Sequence, residues 1–397
     1  MKIAKIEDLH ADAGWRTFSY LKVTTDEGLV GWAEFNEAAW NPGLTTVIRR
    51  LSAHAIGQDP REVGKLGATL TAITRMAAGG TNQQALAAIE NACLDIKAKA
   101  LGVPVCQLFG GPYRDRLQLY WSHCGTFRAR NHEFFEKVIG TPPLRTLADV
   151  TALGREALKR GYKAVKTNPI LFGDGPPQMV NPGFGPVGLD LAQTYDAKIT
   201  DAICAQLGAL REGLGRDTGV MLDLNFSQKP EGLMRIAKAV EPYNLTWLEM
   251  DLHEPEALAT VRRSTTTPVA SLESIYGRRQ YRPFFERYAV DVVIIDVPWN
   301  GFLEGLRIAS LAESYEVNVA PHNFYGHLAT MMSAHFCAAI PNFRIMEFEG
   351  DDVPWNDDLV THPPEVTDGE LLVPTRPGWG CDVNEEAVRA HPPKQPR

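Results

Sequence analysis

A parallel α/β barrel behind a smaller α+β unit is the fold this sequence predicts, and three observations carry it. First, short apolar segments (VMLDLN, TWLEM, PVASLES) are rich in Val, Leu, Met or Trp and read as buried strands. Second, each ends on an acid: Asp223, Glu249 and Glu273. Third, the ends keep a period. Steps of 26 and 24 residues fit one strand, one helix and two loops, and steps of 23, 26 and 25 continue to Asp296, His322 and Glu347. Lys166 ends GYKAVKTN, 57 residues before Asp223, a step with room for a longer loop. One ionisable residue per strand end is the pattern of a barrel's C-terminal mouth. A lone acid after an apolar run is usually a helix cap or loop residue; six at near-constant phase are hard to reach by chance.

The first 36 residues suggest a small antiparallel sheet, with DEG as a hairpin signal. Helices are expected over 44–54, 61–77 and TNQQALAAIENACLDIKAKALG, the last capped by Thr81 or Asn82 and ended by Gly102 and Pro104. Gly110, Gly111 and Pro112 mark a boundary, so we divide the chain into a capping unit (1–112), a barrel (113–360) and a C-terminal segment (361–397) that returns to the capping unit. LQLYWSHCGTF is the expected first barrel strand. The Gly/Pro-rich stretch 171–188 cannot be regular; following a barrel strand, it is expected to lie over the mouth as a lid.

Of the 397 residues 44% are hydrophobic, and the net charge is −8, as suits a soluble globular protein. No Lys/Arg-rich block points to nucleic acid, and no apolar run approaches the roughly 18 residues of a membrane span. The N-terminus lacks the apolar core of a signal peptide, and six scattered cysteines with no CxxC pair read as reduced core residues. These features lead us to expect a cytoplasmic protein.

Three carboxylates at adjacent strand ends suit a hard divalent cation, Mg²⁺ by default. Such a cation grips a substrate carboxylate and makes its α-proton removable, since the enediolate formed puts its charge on oxygens the metal already holds. A general base adds about 10²–10⁴-fold, so the metal carries most of the stabilisation. Asn225 could bond a ligand carboxylate or the metal, or simply cap a helix. His322 is a candidate base, with Asp296 to orient it. Lys166 faces it from the second strand, where burial near a cation could lower its pKa enough to make it a base. Glu347 could bind the growing oxyanion if protonated, or be another cap.

At these residues the chain resembles the enolase superfamily, in its mandelate racemase / muconate lactonizing enzyme branch. ALAAIENACLDIKAKALGVPVCQLFGG, GYKAVKTN, VMLDLN, WLEM, SLES, VAPHN and IMEFE follow that branch's order and spacing. The resemblance implies an α+β capping domain on a modified (β/α)₇β TIM-like barrel, with essential Mg²⁺ held by Asp223, Glu249 and Glu273. It also implies a His322–Asp296 dyad, Glu347 as the electrophilic glutamate, and a homo-oligomer. Two departures stand out. The branch's Lys-x-Lys is Lys166-Thr167-Asn168 here, so its usual second-strand base is missing. Asp296 aligns with the dyad aspartate only if the next loop is one residue short; otherwise the position is Ile295.

A racemase needs acid/base groups on both faces of the α-carbon, whereas a dehydratase needs one base and an acid for the departing hydroxyl. We therefore expect dehydration of a sugar acid or similar hydroxy acid to a 2-keto-3-deoxy acid. The alternatives are a racemase, epimerase or lactone cycloisomerase, and a non-catalytic acid-binding protein. Specificity in the branch comes from capping-domain loops, here His10 to Phe18 and Asn36 to Asn41. Trp15, Arg16 and Trp40 are candidate contacts, with Arg16 able to pair with a distal carboxylate. Asn168, Trp121, His123, Trp299, Asn323 and Tyr325 near strand ends complete the candidate pocket.

Overall fold

The computed structural model describes residues 1–38, 41–180 and 194–394. Trp40, and the predicted lid from 181 onward, lie outside these residues. The described half of that loop is irregular apart from a small antiparallel ribbon in which Ile170–Leu171 pairs with Gln178–Met179.

Three antiparallel strands, Ile3–Asp12, Thr17–Thr25 and Val30–Phe35, open the capping unit. Helices Leu44–Ala55, Val63–Thr74 and Gly80–Leu101 follow. The long third helix starts at Gly80, not at a cap on Thr81 or Asn82. Gly79 and Gly80 turn the chain in with φ +88° and +51°, and Thr81 Oγ1 instead donates to Asn41 Oδ1 at 2.7 Å.

Eight parallel strands form the barrel in sequence order: Arg116–Ser122, Ala164–Thr167, Gly219–Asp223, Trp247–Glu249, Val269–Ser271, Val292–Asp296, Asn318–His322 and Met346–Glu349. The eighth pairs with the first, and a bridge from Val319 to Phe343 closes the ring. Among the described residues each of the first seven strands is followed by a helix of nine or more residues, from Leu147–Lys159 to His327–Ala338. After the eighth the chain runs to a hairpin, Val366–Thr367 with Glu370–Leu372, which adds antiparallel to the first strand. Trp379 then docks on the capping unit, Nε1 donating to the Trp32 carbonyl at 2.8 Å. This is the (β/α)₇β barrel with an α+β cap that the resemblance implies.

Side chains alternate along a strand, and that alternation builds the site. Tyr120, Ala164, Met221, Trp247, Ile294, Ala320 and Ile345 fill the barrel interior as one cluster. Two residues after each comes Ser122, Lys166, Asp223, Glu249, Asp296, His322 or Glu347, stacked on that plug at the C-terminal end. The fifth strand breaks the rule: Leu272, at φ +89°, turns into the outer core, and Glu273 faces the mouth instead.

Two capping-unit carboxylates tie the layers together. Helix His327–Ala338 has no side-chain cap of its own; Glu34 accepts from Gly326 N at 2.7 Å and Ala329 N at 2.9 Å. Helix Phe302–Glu313 is served the same way by Glu90 and Asn91. These helices follow the strands that carry His322 and Asp296. All six cysteines are free, and among the described residues no helix is long and apolar enough to cross a membrane.

Candidate active site

A cavity of about 480 Å³ lies between the capping unit and the barrel mouth. Lys166, Asn168, Asp223, Asn225, Glu273, His322 and Glu347 line it from the barrel, with His123 and Trp299 beside them and Trp15 and Arg16 above.

The dyad is formed. His322 Nδ1 lies 2.6 Å from Asp296 Oδ2. Asp296 is fully buried; Trp299 N donates to its Oδ1 at 2.6 Å and the Tyr325 hydroxyl donates to its Oδ2. Ile295 packs in the outer core, so the strand's alternation turns Asp296, not Ile295, toward His322. With Nδ1 engaged, Nε2 is the remaining ring nitrogen, 3.7 Å from Glu273 Oε2. Burial disfavours the imidazolium, but Glu273 and Asp296 outweigh it and hold the pKa up at about 10.

The second-strand side differs. Lys166 Nζ is 3.1 Å from both Glu249 oxygens, 3.1 Å from Glu347 Oε1 and 4.0 Å from Asp223 Oδ2. Burial opposes its charge, yet Glu249 and Glu347 keep its pKa well above the ordinary lysine value. These carboxylates favour the ammonium form, the opposite direction from the depressed pKa the sequence suggested. Glu347 is likewise not protonated: against burial, Lys166 and His322 hold it down at about 2, and Ser122 Oγ and Asn323 N donate to it. Asn168 has its amide committed, donating to Asp223 O and Asn225 Oδ1 at 3.1 Å each and accepting from Thr126 Oγ1 at 3.1 Å.

Asp223 and Glu249 are ladder partners on adjacent strands, and Glu273 follows the next strand. They do not converge as a ready cluster: among the described residues no three His, Cys, Asp or Glu side chains stand close enough to hold a metal. Like charges repel, and two of the three acids have found donors. Asn225 at φ +47° donates its N and Nδ2 to Asp223 at 2.8 and 3.0 Å, and Trp247 Nε1 donates to Glu249 at 2.9 Å. Glu249 lies beneath Lys166 and does not line the cavity. The donor set nonetheless fits a hard cation. Burial, and then mutual repulsion against the pull of Lys166, push Asp223 to about 6 and Glu249 to about 7; burial raises Glu273 too. A divalent ion bound there would relieve that excess of buried negative charge.

Other expected contacts fall elsewhere. Trp121 points away from the mouth, between the guanidiniums of Arg128 and Arg160 at 5.2 and 4.3 Å. Asn323 and Tyr325 serve Glu347 and Asp296 and do not line the cavity. Arg16 lines it, but its guanidinium is paired with Asp352 at 2.7 Å and donates to the Phe324 carbonyl. The sequence reading missed the aromatic walls, Phe127, Phe226, Tyr276 and Phe324, and two buried acids, Asp251 and Glu349. Each acid sits two residues past an assigned one, Glu249 or Glu347, and that spacing was the available signal.

Residues 149–387 match the family model for the enolase C-terminal domain-like fold, and residues 12–110 the mandelate racemase / muconate lactonizing enzyme N-terminal domain. A crystal structure of a Burkholderia xenovorans strain LB400 protein, provisionally assigned as an L-alanine-DL-glutamate epimerase, is 45% identical with TM-score 0.96, covering 99% of each chain. That protein also has a structure bound to magnesium and fumarate, at TM-score 0.95 over 99% of this chain and 96% of the other. The D-xylonate dehydratase of Haloferax volcanii is 29% identical over 380 residues, 94% of this chain and 84% of its own. The D-galactonate dehydratase of Pectobacterium atrosepticum is 26% identical over 399 residues, 98% and 94% of the two chains. With both family models matched across its two layers, the chain belongs to the enolase superfamily, in the mandelate racemase / muconate lactonizing enzyme branch.

Proposed function

We propose that this protein is a carbon–oxygen lyase that dehydrates a hydroxy acid of the sugar-acid class to a 2-keto-3-deoxy acid, with Mg²⁺ at Asp223, Glu249 and Glu273. One observation carries the reading: among the described residues, the mouth offers proton-abstracting machinery on one side only. His322, oriented by Asp296, faces the cavity, while the opposite side presents a committed amide at Asn168 and a triply paired ammonium at Lys166. The dehydratase relatives and the magnesium-bound neighbour support the assignment.

The bound cation would supply positive charge for the substrate carboxylate and cancel the field of Glu273 that holds the His322 proton. His322 Nε2 then removes the α-proton. Asp296 fixes the tautomer and stabilises the imidazolium formed. The electron pair flows toward the carboxylate, beside which Lys166 is a fixed cation, and returns to expel the β-hydroxyl. The aromatic walls keep water from the developing charge.

The test is incubation with a library of mono- and diacid sugars, Mg²⁺ and semicarbazide. A semicarbazone from any member is the expected result; none across the library would remove the reading. The epimerase assignment of the 45%-identical neighbour favours an isomerase as second reading. Deuterium incorporation from D₂O without keto acid would select it, and tight binding with neither would select a non-catalytic acid-binding protein.

A further inference from the structure

Dehydration needs a proton for the departing hydroxyl, and the mouth holds a second His–carboxylate pair that the reading above leaves idle. His123 follows the first barrel strand and lines the cavity; Glu349 ends the eighth. His123 Nδ1 lies 2.5 Å from Glu349 Oε1. The imidazole lies flat on Phe127, centroids 4.2 Å and planes 15° apart, which sets the direction of the ring. Its backbone is left-handed, φ +48°, a conformation unfavourable for a non-glycine residue that persists where surroundings over-determine it. Two bonds pin it: Cys124 N to Lys166 O at 2.8 Å and Thr126 N to His123 O at 2.9 Å.

The proton count follows from the partners. Ser122 Oγ, 3.2 Å from Nδ1, spends its own proton on Glu347. Glu349 is 3% exposed, and its Oε2 has no hydrogen-bond partner among the described residues. An ionised carboxylate there would leave charge buried and unpaired; a carboxylic acid donating to Nδ1 costs far less. Burial pushes Glu349 well above the carboxylate range, with Glu347, Asp352 and Asp351 adding to it and Arg16 opposing. Burial likewise lowers His123 to about 3, keeping the imidazole neutral. With Nδ1 accepting from Glu349, the ring's own proton sits on Nε2, which makes no hydrogen bond among the described residues. Both imidazoles also pack on one ring, Phe324, at 4.9 Å for His322 and 6.3 Å for His123, so one small substrate can reach both.

We infer that His123, backed by Glu349, is the general acid that protonates the departing β-hydroxyl, a role that rests on the dehydratase reading. As His322 takes the α-proton, the Cα–H electron pair becomes the Cα=Cβ bond. The Cβ–O bond breaks with its pair on oxygen, which takes the Nε2 proton of His123 and leaves as water. The Glu349 proton moves to Nδ1, leaving a neutral imidazole and a carboxylate. The enol product tautomerises to the 2-keto acid. His322 has gained one proton and the pair has lost one, and exchange with solvent resets both.

The experiment compares wild type and His123→Asn on D-xylonate, D-galactonate and any library acid the wild type converts, with Mg²⁺ in D₂O. Keto-acid formation and α-deuterium incorporation are measured separately. Elimination should fall about 10²–10⁴-fold, while α-exchange, which needs only His322, stays within a few fold. The matching β-fluoro acid, whose leaving group needs no proton, should be eliminated at close to the wild-type rate. Equal loss of both reactions with no fluoro rescue, or loss of neither, would overturn the inference. Should His123→Asn not fold, Glu349→Gln serves: it keeps a donor for Nδ1 but has no proton to relay, so elimination should again fall more than exchange, and equal effects would overturn the idea. Wild type that eliminates nothing removes the dehydratase reading and this inference with it; wild type that eliminates while both variants match it removes this inference alone.

Discussion

The seventh-strand and second-strand sides of the mouth are built from the same strand-end positions and have opposite chemical characters. On the seventh, one imidazole has one nitrogen tied to a carboxylate and the other turned to the cavity. On the second, Lys166 is ringed by three carboxylates, and Asn168 spends its amide on its own layer. A basic group works as a base only if its partners leave a lone pair free. His322 would gain one on its second nitrogen once a cation offset the Glu273 charge; Lys166 has a single nitrogen, ringed by Glu249, Glu347 and Asp223. The asymmetry is thus a matter of partners as much as of residue type.

The largest expected effect breaks the working side. His322→Asn should lower turnover by at least about 10²–10⁴-fold while leaving magnesium affinity, read by isothermal calorimetry, nearly unchanged. Retained turnover would take His322 out of the mechanism. Next, Lys166→Met tests the locked side. Removing one partner of a buried ion pair costs about 3–5 kcal/mol, so denaturant unfolding should show that loss in metal-free buffer, and Mg²⁺ should restore part of it. Unchanged stability would mean that Lys166 does not hold the acids together. The smallest effect probes the dyad's support. Tyr325→Phe removes one donor to Asp296 and should cost about 1 kcal/mol, a several-fold drop in kcat with KM unmoved; a change in KM alone would make Tyr325 a substrate contact.

The sequence showed the barrel because two periods survive in it: near 25 residues for the βα unit and two for the strand. The second period explains why Lys166, Asp223, Asp296, His322 and Glu347 all face inward, and it would also have exposed Asp251 and Glu349. What it could not show was partnership across long separations. Lys166 meets Glu249 and Glu347 through the barrel interior, so its protonation follows from the closed ring and not from GYKAVKTN. Asn323 and Tyr325 were near strand ends, as read, but the chain curls back there to serve Glu347 and Asp296 instead of the cavity. Arg16 looked free because Asp352 is 336 residues away in sequence. The misplaced helix cap has a local cause: two glycines at positive φ did what Thr81 was expected to do.

The central claim is that proton abstraction happens on one face. The direct measurement uses a convertible acid and its C2 epimer, each incubated with enzyme and Mg²⁺ in D₂O and followed by NMR. One epimer should exchange its α-proton with retention and pass on to keto acid, and the other should stay protiated. Appearance of the opposite epimer, carrying deuterium at C2, would mean that a second base works on the Lys166 side.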